Sequence, residues 1–244
     1  MGAAQIVIVT SGALAGGFVS GLAGFGTGIT ALGIWLYAVS PSIAASLVIV
    51  CSVVSQLQTL PTIWPSIEAK RVLPFIMPGL IGVPVGTAFL TWLDPRIVKL
   101  GIGGLLVTFS VCMLFGRSWG ARAWGGRLAD GLVGFGGGVL GGLAGLSGPL
   151  PTMWATFRGW TKAESRSVFQ AFNSSILIIA LLVHAAAGLL TKDVGWAVMA
   201  ALPGTVVGAW SGAQAYKRLT DHRFRVIILT LLCISGGALV LTNF

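Results

Sequence analysis

Long apolar runs alternate with short polar punctuation along this chain. Eight runs stand out, at residues 6–38, 43–64, 72–92, 97–115, 129–157, 168–190, 194–216 and 226–243. Between them lie EAKR (68–71), DPR (94–96), RSWGAR (117–122), RGWTKAESR (158–166), KD (192–193), and Lys217 followed by RLTDHRFR (218–225). A helix needs roughly 20 apolar residues to cross a bilayer, and the runs have about that length. They are unbroken rather than alternating, so the short period-two strands of a membrane barrel do not fit. The pattern predicts an all-α polytopic membrane protein of eight helical segments.

Composition strengthens this reading. Hydrophobic residues make up 55% of the chain and charged residues 9%, with a mean hydropathy of +0.93. A soluble domain carries about a quarter charged residues, so this chain cannot cover a water-facing surface. The net charge of +9 would suggest nucleic acid on a soluble protein. Here the cations punctuate apolar runs and no basic stripe is interleaved with aromatics, so no nucleic-acid partner is expected.

The chain repeats itself. GLAGFG at 21–26 returns as GLAGLS at 142–147, and Gly16-Gly17 returns as Gly137-Gly138. Further on, PGLIGVPVG (78–86) aligns with PGTVVGAWSG (203–212). These matches predict a duplication, 1–115 and 128–244, joined by a basic connector at 116–127 that lies in the cytoplasm. Structural repeats are a common plan for transporters.

The long first and fifth runs admit two topologies. If each is one broken crossing, the 15 Lys and Arg residues divide 9 to 6 between the two sides. If each is a hairpin that enters and leaves on one side, the 15 divide 12 to 3. Cytoplasmic loops are enriched in Lys and Arg, which favours hairpins. Each half then has three full crossings, the halves are inverted, and the N-terminus lies outside.

The glycine-rich tips GLAGFGTG (21–28) and GLAGLSGP (142–149) interrupt these segments. Glycine admits backbone conformations that helices exclude, and proline removes amide donors. Irregular backbone at membrane depth is tolerated where it lines a cavity or is buried in protein. The first amides of a helix attract anions. The tips therefore predict a midplane anion site between two broken helices, made by Gly24, Phe25, Gly26, Thr27 and Gly28 with Gly145, Leu146, Ser147 and Gly148. The upstream GxxxG pairs, such as Gly17/Gly21 and Gly134/Gly138, read instead as helix packing. Gly136 to Gly141 also spells G-x-G-x-x-G, but no strand precedes it, so a dinucleotide is not expected.

Polar residues within apolar runs usually face a bundle interior. Gln56 in the second run, and Gln170, Asn173 and Ser174 in the sixth, offer neutral donors suited to an oxyanion. Trp35 and Trp154 are candidate gates. His184, in LLVHAAAG, is a candidate proton relay, since histidine titrates near neutral pH. Hydrogen bonding between helices is the competing role for each of these polar residues. All six acidic residues stand at the ends of runs, which argues against a cation substrate. Cys51, Cys112 and Cys233 are scattered and apolar in context, so no metal, cofactor or disulfide framework is expected. No reactive constellation suggests an enzyme.

At these residues the chain resembles the sulfite exporter TauE/SafE family of bacterial membrane permeases, also called the toluene-sulfonate uptake permease family. The resemblance rests on the glycine-rich start of each half, on GGVLGGLAGLSGPLPTMWATFRGW (137–160), and on AESRSVFQAFNSS (163–175). The first half departs at GFGTG, where family members often carry a GxGGG-type run. The resemblance implies a permease in the bacterial cytoplasmic membrane that moves sulfite, sulfonates, sulfoacetate or thiosulfate. The expected partners are that anion, the bilayer and, as an option, a second copy of the chain. An anion channel and a non-transporting membrane scaffold are the alternatives.

Overall fold

The computed structural model describes residues 2–89, 95–115, 125–144, 147–186 and 188–243. The described residues are mostly helical, with no strand among them. In chain order the helices are α1 (Ala3–Ala23), α2 (Thr27–Trp35), α3 (Pro41–Ile63), α4 (Ala69–Phe89) and α5 (Pro95–Phe115). The second half continues with α6 (Gly126–Ala144), α7 (Pro149–Phe157), α8 (Lys162–Ala186), α9 (Lys192–Lys217) and α10 (Asp221–Asn243). Ala3–Ala23, Ile43–Pro61, Lys162–Ala186 and Lys192–Lys217 are long and apolar enough to cross a membrane. The first and fifth apolar runs each hold two helices, α1 with α2 and α6 with α7.

The chain divides into two compact units. The first joins Met1–Pro65 to Asn173–Leu219, and the second joins Ser66–Phe172 to Thr220–Phe244. The division falls inside α8.

In the first unit α1 and α9 run parallel, with backbone against backbone. A β-carbon at Gly17 would sit 2.6 Å from the Thr205 carbonyl oxygen, and one at Gly21 would collide with the Ala209 carbonyl. From the other side, Gly204, Gly208 and Gly212 meet the carbonyls of Thr10, Leu14 and Phe18. Small residues spaced by four remove the side chains that would hold the helices apart. In lipid, where the hydrophobic effect does not drive helix association, such packing does. Thr10 Oγ1 adds a hydrogen bond to the Ala200 carbonyl at 2.8 Å.

α2 folds back antiparallel on α1. Gly16 lies against Ala31 and Thr27, and Gly12 against the Trp35 ring. Gln5 Nε2 donates to the Ala38 carbonyl at 3.1 Å, so the chain leaving α2 returns to the level at which α1 began. Trp35, Leu47, Cys51 and Ala201 pack an apolar core around this hairpin. Pro41, the first residue of α3, lacks the amide that no helix start can use.

The second unit repeats the device. α4 and α6 run parallel, and Gly79, Gly82 and Gly86 face α6 backbone while Gly134 and Gly138 face the backbone of Phe75 and Gly79. α7 turns back on α6, with Leu150 beside Gly136 and Pro151 beside Gly137. α10 packs on α5, where Gly236 approaches the Gly103 carbonyl. The three prolines within α4 are Pro74, Pro78 and Pro84.

Candidate functional site

The first helix break is built by two glycines. The Gly24 amide donates to the Ser20 carbonyl at 2.8 Å and closes α1, with Gly24 left-handed at φ 84°. Gly26 is left-handed as well, at φ 102°, and precedes α2. A side chain at either position would be strained. Between them Phe25 is buried. Gly26 still supplies its carbonyl to the helix, accepting from the Thr30 amide at 3.1 Å and from Thr30 Oγ1 at 3.1 Å. The first amides of α2 have no partner within their own helix.

Two further side chains complete this end. Thr27 is 2% exposed, and its Oγ1 has no hydrogen-bond partner among the described residues. Gln56, buried on α3, donates from Nε2 to the Gly24 carbonyl at 2.7 Å. The structure therefore brings Gln56 to the same break as Gly24–Gly28. Gly28 is part-buried, and a β-carbon there would stand 2.9 Å from Val48 Cγ1.

The second break lies in the other unit. Gly145 and Leu146 are outside the described residues. Ser147 and Gly148 are buried, and Gly148 has ordinary right-handed torsions ahead of Pro149. The Gly148 carbonyl accepts from the Thr152 amide at 3.2 Å and from Thr152 Oγ1 at 2.8 Å.

Gln170 is buried on α8 within this second unit and accepts a hydrogen bond from Arg166 Nε at 3.2 Å. Asn173 and Ser174 are buried one turn on, beyond the division of the chain. Arg166 is the residue that hydropathy misjudges. It sits in the polar punctuation at 158–166 and counts there as a membrane-surface anchor. In the structure it lies inside α8, 0% exposed. One signal pointed to this: Arg166, Gln170 and Asn173 share a helical face by their spacing.

Both candidate gates are fastened. Trp35 Nε1 donates to the Val9 carbonyl at 2.8 Å, in the core of the first unit. Trp154 Nε1 donates to Asp130 Oδ1 at 2.7 Å. Its ring stacks on Phe157 with centroids 5.8 Å apart, and the Arg158 guanidinium lies 5.7 Å from its centroid. Arg158 also approaches Asp130 at 3.8 Å. Asp130 is buried, although it stands at the start of its apolar run. His184 Nδ1 lies 3.4 Å from Ser46 Oγ, inside the first unit.

The α8 start is held by a capping box. The Thr161 amide donates to Glu164 Oε2 at 2.9 Å, and the Glu164 amide donates to Thr161 Oγ1 at 3.3 Å. The other Glu164 oxygen pairs with Arg71 at 2.6 Å. Arg71 and Arg158 both approach the ring of Trp160, at 5.4 Å and 5.6 Å.

A family model described as sulfite exporter TauE/SafE matches residues 8–239 of the 244-residue chain. The chain belongs to the TauE/SafE family. No curated protein and no solved structure matches it. The TauE/SafE match includes both helix breaks, the whole of α8, and the two glycine seams. Membership, together with helices apolar enough to span a bilayer, makes this a multi-pass membrane protein. It points to a permease or exporter of sulfur anions.

Proposed function

We propose that this protein carries sulfite, a sulfonate, sulfoacetate or thiosulfate across the bacterial cytoplasmic membrane. The observation that carries the reading is the break at Gly24–Gly26. Amides, a buried threonine hydroxyl and a glutamine converge there with no carboxylate among them. Such neutral donors suit a small oxyanion and offer a cation no charged ligand. On the second unit, Ser147 and Gly148 at the α7 start and Gln170 on α8 supply the corresponding donors. Arg166 joins this set, because a guanidinium presents paired donors to a sulfonate or sulfite as it does to a carboxylate.

In this reading the halves are inverted repeats and the N-terminus is outside. Several features support it. The short helices α2 and α7 occupy equivalent places in the two halves, and both fold back on the helix before them. Nine residues of helix span about 14 Å, too little to cross roughly 30 Å of hydrocarbon. The seams also correspond, since α1 with α9 and α6 with α4 each pair the first helix of one half with the fourth of the other.

An inside-negative potential drives a monovalent anion outward by about 2.3 kcal/mol per 100 mV, so export needs no coupling ion. Uptake needs one, and His184 is a titratable candidate within a membrane helix.

The test is flux into proteoliposomes at a set potential, with sulfite, a sulfonate, thiosulfate, sulfate, acetate and chloride as separate substrates. Saturable movement and counterflow of one or two sulfur anions is the expected result. Fastest movement of chloride would make the protein a channel. Movement of none of the six, with and without a proton gradient, would overturn transport itself.

A further inference from the structure

Between α4 and α6 the second unit carries a groove of about 750 Å³ that the transport reading does not use. Its walls are apolar side chains turned outward, Leu73 and Met77 from α4 and Leu128 and Leu132 from α6, each at least half exposed. Its floor contains Gly131, which brings the two helices together beside Pro74 and Pro78. One end is charged. Lys70 and Arg127 stand in the first turns of two parallel helices, and both are exposed.

These cations are available. Neither makes an ion pair with a described residue. The nearby carboxylates are engaged elsewhere, Glu68 with Arg71 and Asp130 with Trp154 and Arg158. Two helix N-termini add to the positive potential at the same end.

We propose that this groove binds one anionic phospholipid, with its phosphate between Lys70 and Arg127 and an acyl chain along the Leu73–Leu132 wall. Basic pockets between membrane helices suit acidic headgroups. A free sulfur anion would engage the two cations and leave the apolar wall unused. A symmetric second copy would cover the wall but bring like cations together. A lipid with an anionic headgroup satisfies both halves of the groove. The inference needs only that the protein lies in a membrane, and it stands whichever solute is carried.

The test is native mass spectrometry of the purified full chain in detergent, with equimolar phosphatidylglycerol and phosphatidylcholine of identical acyl chains. The wild type is expected to retain one phosphatidylglycerol with roughly tenfold preference. The K70Q/R127Q variant loses the preference, whereas K217Q/R218Q, with the same charge loss at exposed positions, keeps it. L132W keeps both cations but fills the groove, and it lowers retention of either lipid. Equal retention of the two lipids by the wild type would overturn the proposal. So would an unchanged preference in K70Q/R127Q, displacement of the lipid by millimolar glycerol phosphate, or a dimer with no retained lipid.

Discussion

Gln56 Nε2 lies 2.7 Å from the carbonyl oxygen of Gly24, tying the middle of α3 to the point where α1 stops. The bond satisfies a backbone acceptor that the break has removed from its helix. It also holds the break in one conformation. Gln56→Leu keeps similar bulk and removes the donor, leaving a buried carbonyl at a cost of about 1–3 kcal/mol. We expect sulfur-anion counterflow to fall about tenfold while the protein still purifies as a folded species. Unchanged counterflow would remove Gln56 from the binding set.

The glycine seams predict a contrast within one chain. A β-carbon at Gly138 would collide with the Gly79 backbone, whereas one at Gly237 would meet nothing within 4 Å. Overpacking costs about 1–3 kcal/mol, and backbone cannot swing aside as a flexible side chain can. Gly138→Ala should therefore lower the thermal midpoint in detergent clearly. Gly237→Ala should leave it unchanged or raise it slightly, since alanine favours helix over glycine by up to about 1 kcal/mol.

Asp130 and Trp154 join α6 to α7 through one charge-assisted hydrogen bond of 2.7 Å. Such bonds contribute about 1.5–3 kcal/mol, so Asp130→Asn and Trp154→Phe should each destabilise the protein. The double variant should lose less than the sum, with a coupling of about 1–2 kcal/mol. A coupling near zero would mean that Asp130 is held by Arg158 alone. If Trp154 gates, Trp154→Phe also accelerates flux beyond what its stability loss explains.

Arg166→Lys keeps the charge and discards the planar fork. Lysine does not reproduce paired, planar recognition of an oxyanion, so saturable flux should drop at least tenfold and not be rescued by the conserved charge. A purely structural role would instead show as lost folding with normal KM in the surviving protein. Steady-state uptake and thermal unfolding, measured on the same preparation, separate the two.

Much of the helical framework was legible, because hydropathy over a long window depends on residue type alone. The apolar runs and the helices coincide closely, and the spacing of Gly17 with Gly21 and of Gly134 with Gly138 marked faces of close approach. The identity of the opposing helix was not legible. Gly21 meets Ala209, far away in sequence, and nothing local encodes that. The charged residues were misjudged for the same reason. Arg166 and Asp130 look like surface punctuation by type, yet partners from Gln170 and from Trp154 make their burial tolerable. At the candidate site, the glycine-rich stretch 21–28 read as an interruption of the helix, and Gln56 stood out as polar within an apolar run. The hydrogen bond between them required the fold.

The long reach of the α1–α9 seam bears on how the protein is made. Thr10 and its acceptor Ala200 are separated by 190 residues. At about 5–20 residues per second, a ribosome inserts α1 some 10–40 s before α9 exists to cover it. During that interval the glycine notches of the nascent first helix face lipid or a temporary neighbour. Premature pairing with another small-residue helix is therefore the hazard of its biogenesis, and termination upstream of α9 would leave an orphan for quality control to remove.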